Sequence, residues 1–162
     1  MNNAFQSRIY DRADASWFTP SQKHVWESLQ RFDGPPYRVI NVYGTEGTGK
    51  TFLGKLLERL GYATYQVWPS VHQPLLSRLT LDDIVPSRTS TRDIRPLVDR
   101  YHIRQIILLS SMRVDERDMA AFELHVTEED INWVRARIFQ YFNITLPEKH
   151  YPNYKLALAS LS

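Results

Sequence analysis

A glycine-rich stretch, GTEGTGKT at residues 44–51, constrains this chain more than any other feature. It follows the run YRVINVY, whose β-branched residues Val39, Ile40 and Val42 predict a strand that is apolar on both faces. It precedes KTFLGKLLERLG, in which apolar side chains recur at helical spacing. The stretch therefore joins a predicted buried strand to a predicted helix.

The stretch matches the pattern G-x-x-x-x-G-K-[ST] at every fixed position. Gly44 lets the chain turn, and Gly47 and Gly49 allow backbone conformations that a Cβ opposes. Successive N–H groups can then surround a phosphate, and the following helix adds the positive end of its dipole. The predicted phosphate-binding residues are Gly44, Thr45, Glu46, Gly47, Thr48, Gly49, Lys50 and Thr51. The alternative interpretation is a flexible turn that carries an exposed lysine.

In this context the motif resembles the phosphate loop of the P-loop NTPases. The resemblance implies that Lys50 contacts the β- and γ-phosphates and that the Thr51 hydroxyl binds Mg²⁺. The sequence contains neither the N/T-K-x-D motif nor the D-x-x-G motif of guanine-specific members. ATP with Mg²⁺ is therefore the expected ligand pair.

Further strands and helices alternate along the chain. The strands are predicted in ATYQVW, QIILLSS and AFELHV. The helices are predicted in TPSQKHVWESLQRF, with Thr19 or Ser21 as its N-cap and Pro20 near its start, in TSTRDIRPLVDRYHI, which Pro96 would bend or start, and in TEEDINWVRARIFQYF, with Thr127 as its N-cap. This alternation, with LTLDDI at residues 79–84 as the fifth strand, predicts an α/β fold of three layers, with a mostly parallel five-stranded sheet between helices. One domain is expected over 1–162: an N-terminal segment and helix (1–36), a core (37–142) and a C-terminal tail (143–162).

P-loop ATPases place a second magnesium-coordinating acid at the end of an apolar strand. By that resemblance, LTLDDI at residues 79–84 is the candidate. Asp82 would hold Mg²⁺, and Asp83 would polarise the attacking water. The alternative is a helix start with Thr80 or Asp82 as its cap. Asp115 and Glu116 are the reserve candidates for this acid.

With that strand included, the order of elements resembles the core of an AAA+ ATPase. The resemblance implies that Ser110 or Ser111 orients the attacking water. It also implies that Arg113 or Arg117 is an arginine finger for a neighbouring subunit's γ-phosphate. The alternatives are that the two serines simply end a strand and that the two arginines are solvated loop charges. Only about twenty residues follow the last predicted helix. The family's helical lid and its sensor arginine are therefore expected to be missing. A partner is then expected to complete the site.

Other regions give weaker predictions. Five N-terminal residues could pack on an adenine or could be core: Phe5, Ile9, Tyr10, Trp17 and Phe18. Five arginines between 88 and 104 could form a phosphate-clamping lid, or could be solvated by Asp93 and Asp99.

The absence of cysteine excludes disulfides and thiolate metal sites. A formal net charge of +2 does not indicate nucleic-acid binding, although it does not exclude it. The absence of a long apolar run predicts no membrane span and a cytosolic protein.

These features predict an AAA+-like ATPase that acts on a protein or nucleoprotein partner, or self-associates. Lys50 and Mg²⁺ would neutralise charge, and Asp83 would orient the water. The predicted catalytic set is Lys50, Asp83, Ser110 and Arg113, and the predicted metal ligands are Thr51 and Asp82. A small-molecule kinase with the arginine segment as its lid is one alternative. A regulatory module that binds ATP without turnover is the other.

Overall fold

The sheet at the centre of the molecule has five strands, all parallel, in the order β2-β3-β4-β1-β5. The computed structural model of the chain describes residues 3–33, 38–114, 116 and 119–161. The strands are β1 Val39–Tyr43, β2 Thr64–Val67, β3 Arg78–Ile84, β4 Gln105–Ser110 and β5 Ala120–Glu123. The predicted mostly parallel five-stranded sheet is thus confirmed.

Six α-helices are described around this sheet. They are α1 Asn3–Arg12, α2 Pro20–Arg31, α3 Lys50–Arg59, α4 Thr91–Arg100, α5 Glu128–Phe142 and α6 Tyr154–Ala159. A 3-10 turn at Ala15–Trp17 links α1 to α2. None of the helices in the described ranges is long and apolar enough to cross a membrane.

Alternate residues of the central strands face opposite sides of the sheet and build two separate cores. On one side Ile107 and Leu109 of β4 pack with Leu53 of α3, in the core that also includes residues of α1 and α2. On the other side Ile106 and Leu108 pack in the core that contains residues of α4. All four of these β4 side chains are completely buried. The molecule therefore has the three layers expected of this class of fold.

The two strongest predicted helix starts are confirmed. Thr19 caps α2 in a capping box with Gln22, and Pro20 occupies the first turn. Thr127 caps α5 in a second capping box, with Asp130. Pro96 lies inside α4 rather than at its start.

Two helices at the ends of the chain complete the structure. Helix α1, which no pattern in the sequence predicts, packs on α3 through a stacked pair of rings, Tyr10 and Phe52, with centroids 5.5 Å apart. Arg59 of α3 also donates hydrogen bonds to the carbonyls of Tyr10 and Asp11, at 2.7 and 2.6 Å. At the other end, the C-terminal tail (143–162) contains α6.

Candidate nucleotide-binding site

The N-terminus of α3 carries no side-chain cap. Its N-cap residue, Gly49, has φ +87° and ψ 19°, and makes no capping hydrogen bond. A side chain is strained at this φ, and a Cβ would lie 2.6 Å from the Gln22 amide nitrogen. The first amides of a helix have no acceptor within the helix. The end of the loop is therefore a place where backbone N–H groups remain available to an anion.

Lys50, the first residue of α3, reaches back over the loop. Its Nζ donates hydrogen bonds to the carbonyls of Gly44 and Thr45, at 2.6 and 2.9 Å. Burial lowers the pKa of the Lys50 ammonium, and the charges of Asp82 and Glu46 partly oppose this effect. The side chain lines a cavity of about 590 Å³. The cation is thus held at the loop, beside a space large enough for a ligand.

Thr51 and Asp82, the two predicted metal ligands, lie together although 31 residues separate them in sequence. Thr51 Oγ1 donates a hydrogen bond of 2.6 Å to Asp82 Oδ2. Asp82 is only 4 % exposed. A hydroxyl and a carboxylate are the hard oxygen donors that Mg²⁺ prefers, and Mg²⁺ commonly combines one or two carboxylates with substrate phosphates. The donor set therefore fits magnesium bound with a nucleotide. Among the described residues, no cluster of three or more His, Cys, Asp or Glu side chains offers an all-protein metal site.

A β-bulge brings Asp82 and Asp83 to the same cavity. The register of β3 against β4 shifts between Leu81 and Ile84, so these two acids together face one residue of β4. Asp83 takes a left-handed conformation with φ 59°. In a regular strand, neighbouring side chains point to opposite faces, whereas here the buried Asp82 and the exposed Asp83 both line the cavity. LTLDDI therefore belongs to a strand, and the alternative helix start is wrong.

Tyr65 of β2 is a site residue that sequence reasoning missed. Its hydroxyl donates a 2.6 Å hydrogen bond to the same Asp82 oxygen that Thr51 contacts. Burial and the neighbouring Asp82 raise the pKa of the Tyr65 phenol, so it remains a donor. Gly54 makes room for this ring, since a Cβ there would lie 2.8 Å from Tyr65 Cδ2. In the sequence, Gly54 interrupts the apolar face of the predicted helix, and such a glycine can indicate close packing by another side chain.

The two serines at the end of β4 differ in their surroundings. Ser110 is buried; its hydroxyl accepts a 2.8 Å hydrogen bond from Asn41 Nδ2 and donates one of 2.6 Å to the Met112 carbonyl. Ser111 is exposed. Both residues line the cavity. Ser110 therefore shapes the loop after β4, while Ser111 presents its side chain to solvent.

The predicted arginine and the reserve acids lie elsewhere or outside the described residues. Arg113 is exposed and is not among the described residues that line the cavity. Glu116 accepts a hydrogen bond from Thr91 Oγ1 and pairs with Arg95 at 3.5 Å, so it belongs to the α4 side of the sheet. Asp115 and Arg117 fall outside the described residues.

The arginine-rich segment between 88 and 104 does not reach the loop. None of its five arginines is among the described residues that line the cavity. Helix α4 packs on the face of the sheet opposite α3. The ion pairs that the structure gives this segment join Arg95 to Glu116 and Arg104 to Asp33, at 3.5 and 3.0 Å, rather than to the expected Asp93 and Asp99.

Part of the cavity lining is apolar. Ile9, Tyr10 and Trp17 contribute to it, and Ile9 and Trp17 are also buried members of the core that contains α3. Phe5 and Phe18 are not among the cavity's described lining residues, and Phe18 instead stacks on Trp26 with centroids 5.8 Å apart. Val134, Ile138 and Leu158, from α5 and α6, also line the cavity and were not predicted.

A glycine loop between a buried parallel strand and an uncapped helix is the arrangement found in P-loop α/β folds. Solved structures share this fold. One, described as a replication initiator DnaA bound to AMPPCP and single-stranded DNA, is 17% identical with a TM-score of 0.57, over 85% of this chain and 58% of that one. Another, of a DNA replication initiation factor, is 19% identical with a TM-score of 0.56, over 85% and 57%.

These similarities confirm the predicted resemblance to an AAA+ core at the level of the fold. This chain spans somewhat more than half the length of either protein. No protein-family model matches the sequence. No curated protein is similar to it in sequence.

Proposed function

We propose that this chain binds Mg-ATP at residues 44–51 and hydrolyses it, and that the nucleotide cycle drives action on a protein or nucleoprotein partner. One observation carries the proposal. The Thr51 hydroxyl and the Asp82 carboxylate are 2.6 Å apart beside the uncapped end of α3, in a cavity that Lys50 and Asp83 also line. This arrangement supports roles for Thr51 and Asp82 as magnesium ligands, for Lys50 as the phosphate-binding cation and for Asp83 as the water-binding carboxylate.

The loop supplies the anion site. Backbone N–H groups at the start of α3 would bind the phosphates, since an anion at a helix N-terminus is stabilised by the dipole and by hydrogen bonds. The Lys50 ammonium would exchange the carbonyls of Gly44 and Thr45 for β- and γ-phosphate oxygens. It would then neutralise part of the charge that develops as the phosphoryl group transfers.

Thr51 and Asp82 would hold the metal. Bound there, Mg²⁺ supplies positive charge beside the β- and γ-phosphates. Tyr65 keeps the Asp82 carboxylate in place through its 2.6 Å hydrogen bond, and so acts as a positioning residue for this ligand pair.

Asp83 would orient the water. A water oxygen attacks the γ-phosphorus in line, its bond forms as the bond to the β–γ bridging oxygen breaks, and ADP and phosphate result. A carboxylate that accepts a hydrogen bond from that water favours this geometry. Ser111, exposed at the cavity, is a second hydroxyl available to the water. The buried Ser110, proposed for this role from the sequence, would act through the loop that it shapes.

The location of the arginines favours hydrolysis over metabolite phosphorylation. A kinase lid would have to lie over the loop, but α4 lies on the other face of the sheet. Among the described residues that line the cavity, the cations are Lys50 and Lys155. Arg113, exposed outside the cavity, would act on the γ-phosphate of a neighbouring copy, as an arginine finger does. ATP-dependent self-association is thus part of the proposal.

Single-stranded DNA is the first macromolecular partner to test, because one of the similar structures is described as bound to it. A nucleotide-binding module without turnover is the second candidate function. The observation that favours this second candidate is that no arginine is among the described residues lining the cavity. Binding without any phosphate release, with or without DNA, would support that candidate.

One titration tests the proposal. The chain is titrated with ATP and with GTP, with and without Mg²⁺, while binding, phosphate release and particle size are followed together. We expect magnesium-dependent ATP binding, weaker GTP binding, and phosphate release that rises with self-association. Asp82→Asn should remove most of the magnesium dependence. Absence of ATP binding by the wild-type chain would refute the site, and turnover only with an added metabolite would favour a kinase.

A further inference from the structure

The C-terminal helix α6 lies directly on the phosphate loop. The Tyr154 N–H donates a 3.0 Å hydrogen bond to the carbonyl of Gly47. Beside it, Lys155 Nζ donates to the carboxylate of Glu46 and forms an ion pair with it. The Asn153 side chain is so close that a Cβ on Gly47 would lie 2.8 Å from its Cγ. Three consecutive residues of the tail therefore contact two consecutive residues of the loop.

The buried Tyr154 side chain holds α6 in this contact with the loop. Tyr154 is 9 % exposed, and its hydroxyl donates a 3.0 Å hydrogen bond to Thr19 Oγ1, at the start of α2. Burial raises the pKa of this phenol, so it remains a donor. The Tyr154 ring packs in a small core with Ile131 of α5 and with Leu146. The backbone that carries Lys155 is thus fixed to the body of the protein.

Glu46 is unfavourable at an anion site. It occupies a variable position of the loop, and its carboxylate would repel a triphosphate at the mouth of the cavity that it lines. In the structure Lys155 neutralises it, and the hydrogen bond and charge of Lys155 lower the pKa of the Glu46 carboxyl. Both side chains are largely exposed, 82% for Glu46 and 51% for Lys155, so the pair contributes little to stability.

We infer that Lys155 is a positioning residue of the nucleotide site, which sets its affinity for polyphosphate by pairing with Glu46 of the loop. The inference rests on the proposed nucleotide binding and extends it to the C-terminal helix. Lys155 keeps the Glu46 carboxylate turned to α6 and compensates its charge. The ligand then meets the field of Lys50 and of the helix end without the opposing charge of Glu46.

A double-mutant cycle tests this inference. ATP affinity is measured by calorimetry for wild type, Lys155→Ala, Glu46→Gln and the double variant, at low and at moderate salt. Removal of the lysine alone should weaken ATP binding about tenfold at low salt, less at moderate salt, because the exposed carboxylate is screened. In the Glu46→Gln background the same removal should change the affinity by less than about twofold.

Two controls keep the test specific. Lys149→Ala removes a lysine from the same C-terminal segment, where its ammonium lies over the Tyr151 ring, 5.3 Å from the centroid, and it should leave ATP affinity unchanged. Lys155→Arg preserves the charge and should restore wild-type affinity. Thermal unfolding should change little in any of these variants, since the ion pair is exposed.

The outcomes separate the two proposals. If wild type fails to bind ATP, the proposed function itself is refuted. If wild type binds ATP and Lys155→Ala binds equally well, only the role of Lys155 is overturned. A tenfold loss that persists in the Glu46→Gln background would also overturn it, because the lysine would then act on the ligand directly.

Discussion

Helices α3 and α5 each follow a strand of the same parallel sheet, but their N-termini differ. At α5, the side chains of Thr127 and Asp130 accept hydrogen bonds from each other's backbone N–H groups, and three acids occupy the first turn. Asp130 also accepts two hydrogen bonds from Ser21, at 2.9 and 2.6 Å. At α3 the N-cap is a glycine without a side-chain bond, no acid lies in the first turn, and Lys50 stands there instead.

On the proposed function, the difference separates a structural helix end at α5 from a ligand-binding one at α3. A lysine at a helix N-terminus is unfavourable with the dipole, and uncapped amides leave hydrogen bonds unmade. The described N-caps of α2, α4, α5 and α6 all use side chains. Only α3, among the helices whose caps are described, gives up this stabilisation, and an external anion would supply it.

The largest effect is expected from Lys50→Ala. Loss of charge-assisted hydrogen bonds to two phosphates should weaken ATP binding by roughly 100-fold or more. The fold should be retained, because the hydrogen bonds that the structure gives the Lys50 ammonium go to carbonyls of the loop itself. Calorimetric titration with Mg-ATP measures the loss. Lys23→Ala, at an exposed lysine of α2, is the matched control and should bind as wild type does. Undiminished ATP affinity in Lys50→Ala would mean that the N-terminus of α3 does not bind the phosphates, and its contrast with α5 would have no functional meaning.

Asp83→Asn should separate turnover from binding. We expect phosphate release to fall by about 100-fold or more, the usual contribution of a positioned acid–base group. ATP affinity should stay within about twofold. Asparagine tolerates a positive φ, so the bulge at φ 59° should persist. Single-turnover phosphate release measures the first quantity and calorimetry the second. Normal turnover in this variant would show that another group orients the water.

Asp130→Asn should act on stability alone. We expect a loss of about 2 kcal/mol in the free energy of unfolding at neutral pH, the scale of hydrogen bonds to a charged group. Burial raises the pKa of Asp130, but hydrogen bonds from Ser21 and Thr127 outweigh it and lower the pKa overall. Its stabilisation is therefore present above the unfolded value of about 3.9 and disappears as pH falls through the lower folded value.

Urea unfolding at neutral pH and near pH 3 checks this pH dependence. The difference between wild type and Asp130→Asn should shrink at the lower pH. ATP affinity of the folded variant should equal that of wild type. A large loss of affinity would mean that the α5 end also serves the ligand, and the contrast with α3 would fail.

Thr127→Ala should give the smallest effect. Removal of an N-cap hydroxyl typically costs about 1 kcal/mol, and Thr127→Ser should recover most of it. Thermal or urea unfolding distinguishes the two variants. An unchanged stability in Thr127→Ala would indicate that Asp130 and Ser21 alone complete the start of α5.

Local patterns in the sequence were sufficient for the elements that local chemistry specifies. The loop at residues 44–51, the caps Thr19 and Thr127 and the aliphatic strand β4 each depend on residues a few positions apart. Helix α1 was not predictable in this way, because only Ile9 of its described side chains is buried. Its position depends on rings and carbonyls that contact α3.

The site itself was only half predictable, for the same physical reason. The pairing of Thr51 with Asp82 followed from family resemblance, but the bulge that aims Asp83 at the same cavity depends on how β3 pairs with β4. Tyr65 reaches Asp82 only because β2 lies beside β3. The contact of Tyr154 with Gly47 joins residues more than a hundred positions apart. Such contacts carry no periodic signal in the sequence.

The place of β4 in the sheet has a consequence for how this site can be tuned. β4 separates β1, which the loop follows, from β3, which carries the acids, so the two strands that position the candidate metal ligands are two places apart in the sheet, roughly 10 Å. Thr51 closes that gap from the first turn of α3. If magnesium binds as proposed, conservative enlargement or truncation of Leu109, which packs beneath α3 and also lines the cavity, should shift α3 against β3 and thereby alter magnesium affinity.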